Sequence, residues 1–107
     1  MAFKALFLSY APDADPEKHR SFIDTGKYQL WSVVVKNREE ALKIARELYE
    51  KASIEVITLC PGFTHREVAE IFEALEGKVS VSVARGDGPS NQIAQAALQR
   101  EYFGKQS

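Results

Sequence analysis

IEVITLCPGFTHREVAEIFEALEG, Ile54–Gly77, changes its hydrophobic rhythm halfway along. Ile54 to Cys60 is a short β-branched and apolar run of strand length. Pro61 and Gly62 break it, and because a residue before proline is held out of the helical region, Cys60 ends the strand. Thr64 and Glu67 then stand at the spacing of a capping box. Val68, Ala69, Ile71, Phe72 and Leu75 recur at helical period until Gly77 provides the stop. A strand, a turn and a capped amphipathic helix are thus written in one continuous stretch.

The same rhythm extends in both directions. Phe3 to Ser9, Tyr28 to Val35 and Lys78 to Ala84 also read as strands, the last with Val79, Val81 and Val83 alternating with Ser80 and Ser82. Asn37 and Glu40 open a second helix with Ala41, Leu42, Ile44, Ala45, Leu48, Tyr49 and Ala52 on one side. Ser90 after Pro89 is a cap for a third, whose face is Ile93, Ala94, Ala97, Leu98 and Tyr102. In the first connection, Asp15, Pro16 and Gly26 have the placement of cap, first helical residue and stop for a short helix. Alternating strands and helices predict an α/β fold. The expected form is a small, open, mostly parallel four-stranded sheet in a Rossmann-like or flavodoxin-like three-layer sandwich of βα units.

Length and composition fit one domain over residues 1–107, with 45% hydrophobic and 27% charged residues. Fourteen basic and fifteen acidic side chains, without a basic run, leave no electrostatic footprint for nucleic acid or an anionic membrane. The N-terminal apolar run is too short, and too soon followed by acidic residues, for a secretory signal. No stretch approaches the length of a membrane span. A single cysteine excludes an intrachain disulfide and suits a reducing, cytoplasmic compartment. A short sheet has edges to cover, and Tyr102 and Phe103 suit an edge or a second subunit, so a homodimer is expected.

Ligands of open α/β sheets bind outside the carboxyl ends of the strands. That rule selects Ser9, Tyr10 and Asp13 after the first strand, Cys60, Gly62, Thr64 and His65 after the third, and Arg85, Gly86, Asp87, Gly88 and Ser90 after the fourth. Helix N-termini and glycines in such loops favour an anion, and Arg85 can pair with one. Asp87 opposes a purely anionic ligand and suits a hydroxyl or amine. Cys60 and His65 are the catalytic candidates, a thiolate near a helix N-terminus with a neutral imidazole as base. Free cysteine is also one of the most buried residue types, and a small hydrophobe is the plainer role. The spacing from Cys60 to Arg66 is the C-x5-R of protein tyrosine phosphatases, arsenate reductases and rhodaneses, a thiolate-enzyme alternative. Pro61 removes one N–H from such a loop, and Glu67 stands where the phosphatases carry Ser or Thr.

Asp13, Asp15 and His19 offer metal-ligand atoms but read more simply as a cap and solvated surface, so no metal is expected. Arg85-Gly86-Asp87 is the integrin tripeptide, which needs an extracellular protein. The blocks CPGFTH (Cys60 to His65) and ARGDGP (Ala84 to Pro89), with the N-terminal FKALFLSYAPDADPEKHR, resemble a family of small bacterial and archaeal proteins, a domain of unknown function. The resemblance spans Phe3 to about Leu98 and implies a compact α/β domain. It implies no activity, cofactor or catalytic residue. The function expected is binding of a small molecule at the strand ends, with an anionic ligand among the candidates, the other alternative being an oligomerisation or interaction module without catalysis.

Overall fold

Three helices and five strands, one strand more than the alternation predicts, make up the computed structural model, which describes residues 1–103. They are β1 (Phe3–Tyr10), β2 (Arg20–Asp24), β3 (Tyr28–Val35), α1 (Arg38–Ala52), β4 (Val56–Leu59), α2 (His65–Ala74), β5 (Ser80–Val83) and α3 (Asn91–Leu98). A single π-helical turn, Gln99–Phe103, follows. The sheet order is β2-β3-β1-β4-β5, with β2 antiparallel to β3 and every other pair parallel. Among the described residues no helix is long and apolar enough to cross a membrane.

The extra strand replaces the short helix expected in the first connection. Asp15 does begin a turn: its carboxylate accepts from the Glu17 N–H and its carbonyl from the N–H groups of Lys18 and His19. The turn stops there, because Arg20-Ser21-Phe22-Ile23-Asp24 is aromatic and β-branched at its centre and pairs with β3. Gly26, with φ of 101°, closes the hairpin to Tyr28 rather than ending a helix. Arg20 fixes the strand's start, donating to the Pro16 carbonyl at 2.7 Å and reaching Glu47 of α1 at 3.3 Å.

That strand also removes a layer. The chain returns from β1 to β3 through β2, so only two crossover helices remain. Both connections, β3 to β4 and β4 to β5, run the same way across the sheet, and right-handed crossovers in one direction put their helices on one face. Leu6 and Leu8, Val33 and Val35, and Ile57 and Leu59 point to that face and pack with Ala41, Ile44, Ala45 and Leu48 of α1 and Ile71 of α2. The other face carries Phe3, Ala5 and Phe7 of β1, Leu30 and Val34 of β3, Val56 of β4 and Ile23 of β2, and among the described residues no helix packs on it. The expected three-layer sandwich is therefore corrected to two layers and an open sheet face. Near-continuously apolar strands are the usual mark of burial on both sides, but burial depends on where the crossovers run, which no single strand encodes.

Helix starts follow the sequence closely. Thr64 and Glu67 form the full capping box. Asn37 accepts from the Glu40 N–H, while the Glu40 carboxylate reaches one residue further back, to the Lys36 N–H. Ser90 is a correction: its side chain makes no capping bond and its hydroxyl donates to the Asp87 carbonyl instead. At the end of α1, Ser53 sits in the left-handed region (φ 59°, ψ 47°), a conformation natural to glycine. Ser53→Gly is expected to stabilise the protein by about 1 kcal/mol, or about 4–8 °C in Tm, in a calorimetric melt. An unchanged or lower Tm would contradict this reading of the cap.

Candidate functional site

β1 and β4 are the central neighbours from which the chain departs in opposite directions, β1 toward β3 and β4 toward β5. This is the switch point at which open α/β sheets leave a crevice beyond their carboxyl ends. A cleft of about 890 Å³ opens there. Its floor comes from Ser9 and Tyr10 at the end of β1 and Cys60, Pro61 and Gly62 after β4, with Ala11 and Pro12 alongside. Lys36, Asn37 and Arg38, where β3 passes into α1, form one wall, and Asn91, Ala94, Gln95, Ala97 and Leu98 of α3 form another. Tyr102 and Phe103, in edge contact at 6.1 Å between ring centres, close one end. The volume lies in the range typical of small-molecule sites.

Tyr10 organises the floor. Its ring stacks on the buried Phe63 at 4.1 Å, and its hydroxyl donates to the Glu67 carboxylate at 3.2 Å. The other Glu67 oxygen accepts from the Thr64 N–H at 2.8 Å, so one carboxylate both completes the α2 cap and holds the phenol. Burial, then the charge and hydrogen bond of Glu67, push the Tyr10 pKa well above its ordinary value; nearby Arg38 acts weakly in the opposite sense. Because the folded-state pKa is raised, the stability from this contact is complete below the ordinary phenol pKa of about 10. It is lost only as pH rises through the folded-state value. Glu67→Ala is expected to cost about 1–2 kcal/mol at neutral pH and to return the Tyr10 ionisation, followed by ultraviolet absorbance, toward its ordinary value.

The Tyr10 backbone N–H donates to Cys60 Sγ at 3.4 Å, which fixes the thiol at the cleft floor between β1 and β4. Part of the loop after it is committed to the fold. The Phe63 N–H donates to the Cys60 carbonyl and the Thr64 N–H to Glu67, while Pro61 has none to give. Arg66 is exposed and does not line the cleft, whereas Glu67 does. The C-x5-R spacing spans the end of β4 and the cap of α2, and its arginine does not reach the cleft.

Of the residues selected by the strand-end rule, Ser9, Tyr10, Cys60 and Gly62 meet in the cleft. Asp13, Thr64, His65, Arg85, Gly86, Asp87, Gly88 and Ser90 do not line it. His65 and Arg85 meet each other instead, Nε2 to guanidinium at 3.3 Å on an exposed surface. Gly86 serves packing: a Cβ there would lie 1.9 Å from Asn91 Oδ1, so the first residue of α3 folds over it. Lys36, Asn37 and Arg38 were missed, although they directly follow the carboxyl end of a strand and the same rule reaches them. Among the described residues no group of three His, Cys, Asp or Glu side chains could hold a metal ion, and His19 Nδ1 is engaged by the Asp15 N–H at 2.8 Å.

No curated protein and no solved structure shows significant similarity to the chain. A family model does match, over residues 3–99, within which lie the whole cleft floor, the Lys36–Arg38 wall and α3. The chain therefore belongs to DUF6506, a family of unknown function.

Proposed function

We propose that the protein binds a small amphipathic, anionic molecule in the cleft between the strand carboxyl ends and α3. The observation that carries this reading is the pairing of a mainly apolar wall, interrupted by the amides of Asn91 and Gln95, with a cationic one. Ala94, Ala97 and Leu98 face the cleft from α3, and Lys36 and Arg38 face it from the start of α1. Arg38 is already in contact with Glu39 and Glu70, at 3.3 and 3.4 Å. Lys36 takes part in no ion pair among the described residues, which makes it the cation available to a ligand. Glu67 lines the same space, but both its oxygens are engaged by the protein. Ser9 and Cys60 supply small polar contacts at the floor. The protein acts in this reading as a cytoplasmic binding module and as a homodimer.

The test is a fluorescence titration with two probes of similar shape, anionic 8-anilinonaphthalene-1-sulfonate and uncharged N-phenyl-1-naphthylamine. The anion is expected to bind the wild type about tenfold more tightly, the worth of one partly exposed charge contact. Lys36→Met should remove that preference while leaving the uncharged probe bound. Equal affinities in the wild type would remove the anionic part of the proposal, and no saturable binding of either probe would remove the whole.

A further inference from the structure

The open face of the sheet has a composition of its own. Its alternate positions on all five strands are apolar or hydroxyl-bearing, and none carries a charge. Phe3 is 51% exposed and Ile23 55% exposed, and Phe3 stacks on Tyr28 at 5.9 Å to make a ridge at one end. Ala5, on this helix-free face, is nevertheless only 6% exposed, because larger neighbours stand around it. Along the central strand the face thus alternates large and small, Phe3, Ala5, Phe7, Ser9, a pattern of knobs and holes. Its apolar positions are concentrated on β1, β3 and Ile23 of β2, while β5 contributes only Ser80 and Ser82, and an exposed apolar patch of this kind marks an interaction site.

We propose that this face is a homodimer interface, in which the sheets of two copies pack face to face about a two-fold axis. Charge selects the occupant. An uncharged surface gives a charged partner nothing to pair with, whereas a second copy presents the same uncharged surface and the same alternation, so that Phe7 of each copy can seat over Ala5 of the other. Area agrees. Five strands about 4.8 Å apart, rising about 3.3 Å per residue, give a face of about 24 by 20 Å, so that two copies remove about 1,000 Å² of surface, the least a specific dimer needs. The packing is that of a β-sandwich, with the second sheet as the layer this chain lacks. The inference does not rest on the ligand reading, since the cleft lies beyond the strand ends.

Sedimentation equilibrium of the full chain tests it. The wild type is expected at twice the 12.0 kDa chain mass at tens of micromolar. Phe3→Glu and Ile23→Lys, both at exposed positions, should each weaken association at least ~100-fold, since each places two charges in a desolvated interface, with an unchanged circular dichroism spectrum. Ile93→Lys, on α3 and 76% exposed, should leave the dimer intact. If Phe3→Glu fails to fold, Ile23→Lys on the edge strand decides. A wild type that stays monomeric throughout the accessible range overturns the proposal, as does a dimer untouched by Phe3→Glu and Ile23→Lys or broken by Ile93→Lys. Wild-type chains that sediment as monomers while floating with phosphatidylcholine vesicles would assign the face to a membrane, and would overturn it equally.

Discussion

Phe63→Ala is expected to lower the stability of the protein by about 3–5 kcal/mol, in the range for deleting a fully buried aromatic side chain. Phe63 is 1% exposed and belongs to the main core. It also supports Tyr10 from below, at a ring separation of 4.1 Å. The loss therefore combines a cavity with the release of a stacked partner. Since small domains are stable by only about 5–15 kcal/mol, the variant should show a much lower denaturant midpoint. Phe63→Leu, which keeps most of the volume, should cost less than half as much. A loss below about 1 kcal/mol for Phe63→Ala would mean that the residue is not the packed base of the cleft.

The second large effect is on binding. Ala94→Trp places an indole inside the cleft from a position on α3 that is itself exposed. The substitution should therefore leave the melting temperature nearly unchanged while weakening the anionic naphthalene probe by at least ~100-fold, because the space the ligand needs is filled. Binding and folding are separated by this variant, as they are not by Phe63→Ala. Undiminished probe affinity in Ala94→Trp would place the probe elsewhere on the molecule.

Local signals were legible and directional ones were not. Thr64 and Glu67 announce a capping box, and the box is there, because every partner lies within four residues. Tyr10 ends β1 and Cys60 follows β4, and they meet because those strands pair, an adjacency the alternation itself does not fix. Gly26 was misread because a positive-φ glycine ends a helix and turns a hairpin equally well, and only the pairing of Phe22 with Trp31 decides between them. The open face followed from that misreading: with a strand in place of a helix, nothing returns along the second side of the sheet. Ala94, Ala97 and Leu98 were recognisable as one face of a helix, but their period does not say what they face. Lys36 and Arg38 were overlooked because they read as the run-in to a capped helix rather than as the end of β3, although they are both.

The Tyr10–Glu67 pair gives the C-x5-R stretch a structural role that its spelling does not announce. Glu67 occupies the position at which a phosphate-binding loop needs a small hydroxyl, and it spends its two oxygens on the Thr64 N–H and the Tyr10 hydroxyl. The same loop supports the cleft floor, through Glu67 on the Tyr10 hydroxyl and Phe63 under its ring. The cleft owes its shape to a strand end and its charge to a helix start on the other side.

The most direct test of a ligand cleft at the strand ends is a map of backbone amide shifts during titration of the wild-type protein with 8-anilinonaphthalene-1-sulfonate. Saturable shifts are expected at Ser9, Ala11, Lys36, Gly62, Ala94 and Ala97, which surround one space from four separate segments. Shifts confined to Phe3, Phe7, Leu30 and Val56, on the open sheet face, with the cleft residues unmoved, would contradict the account.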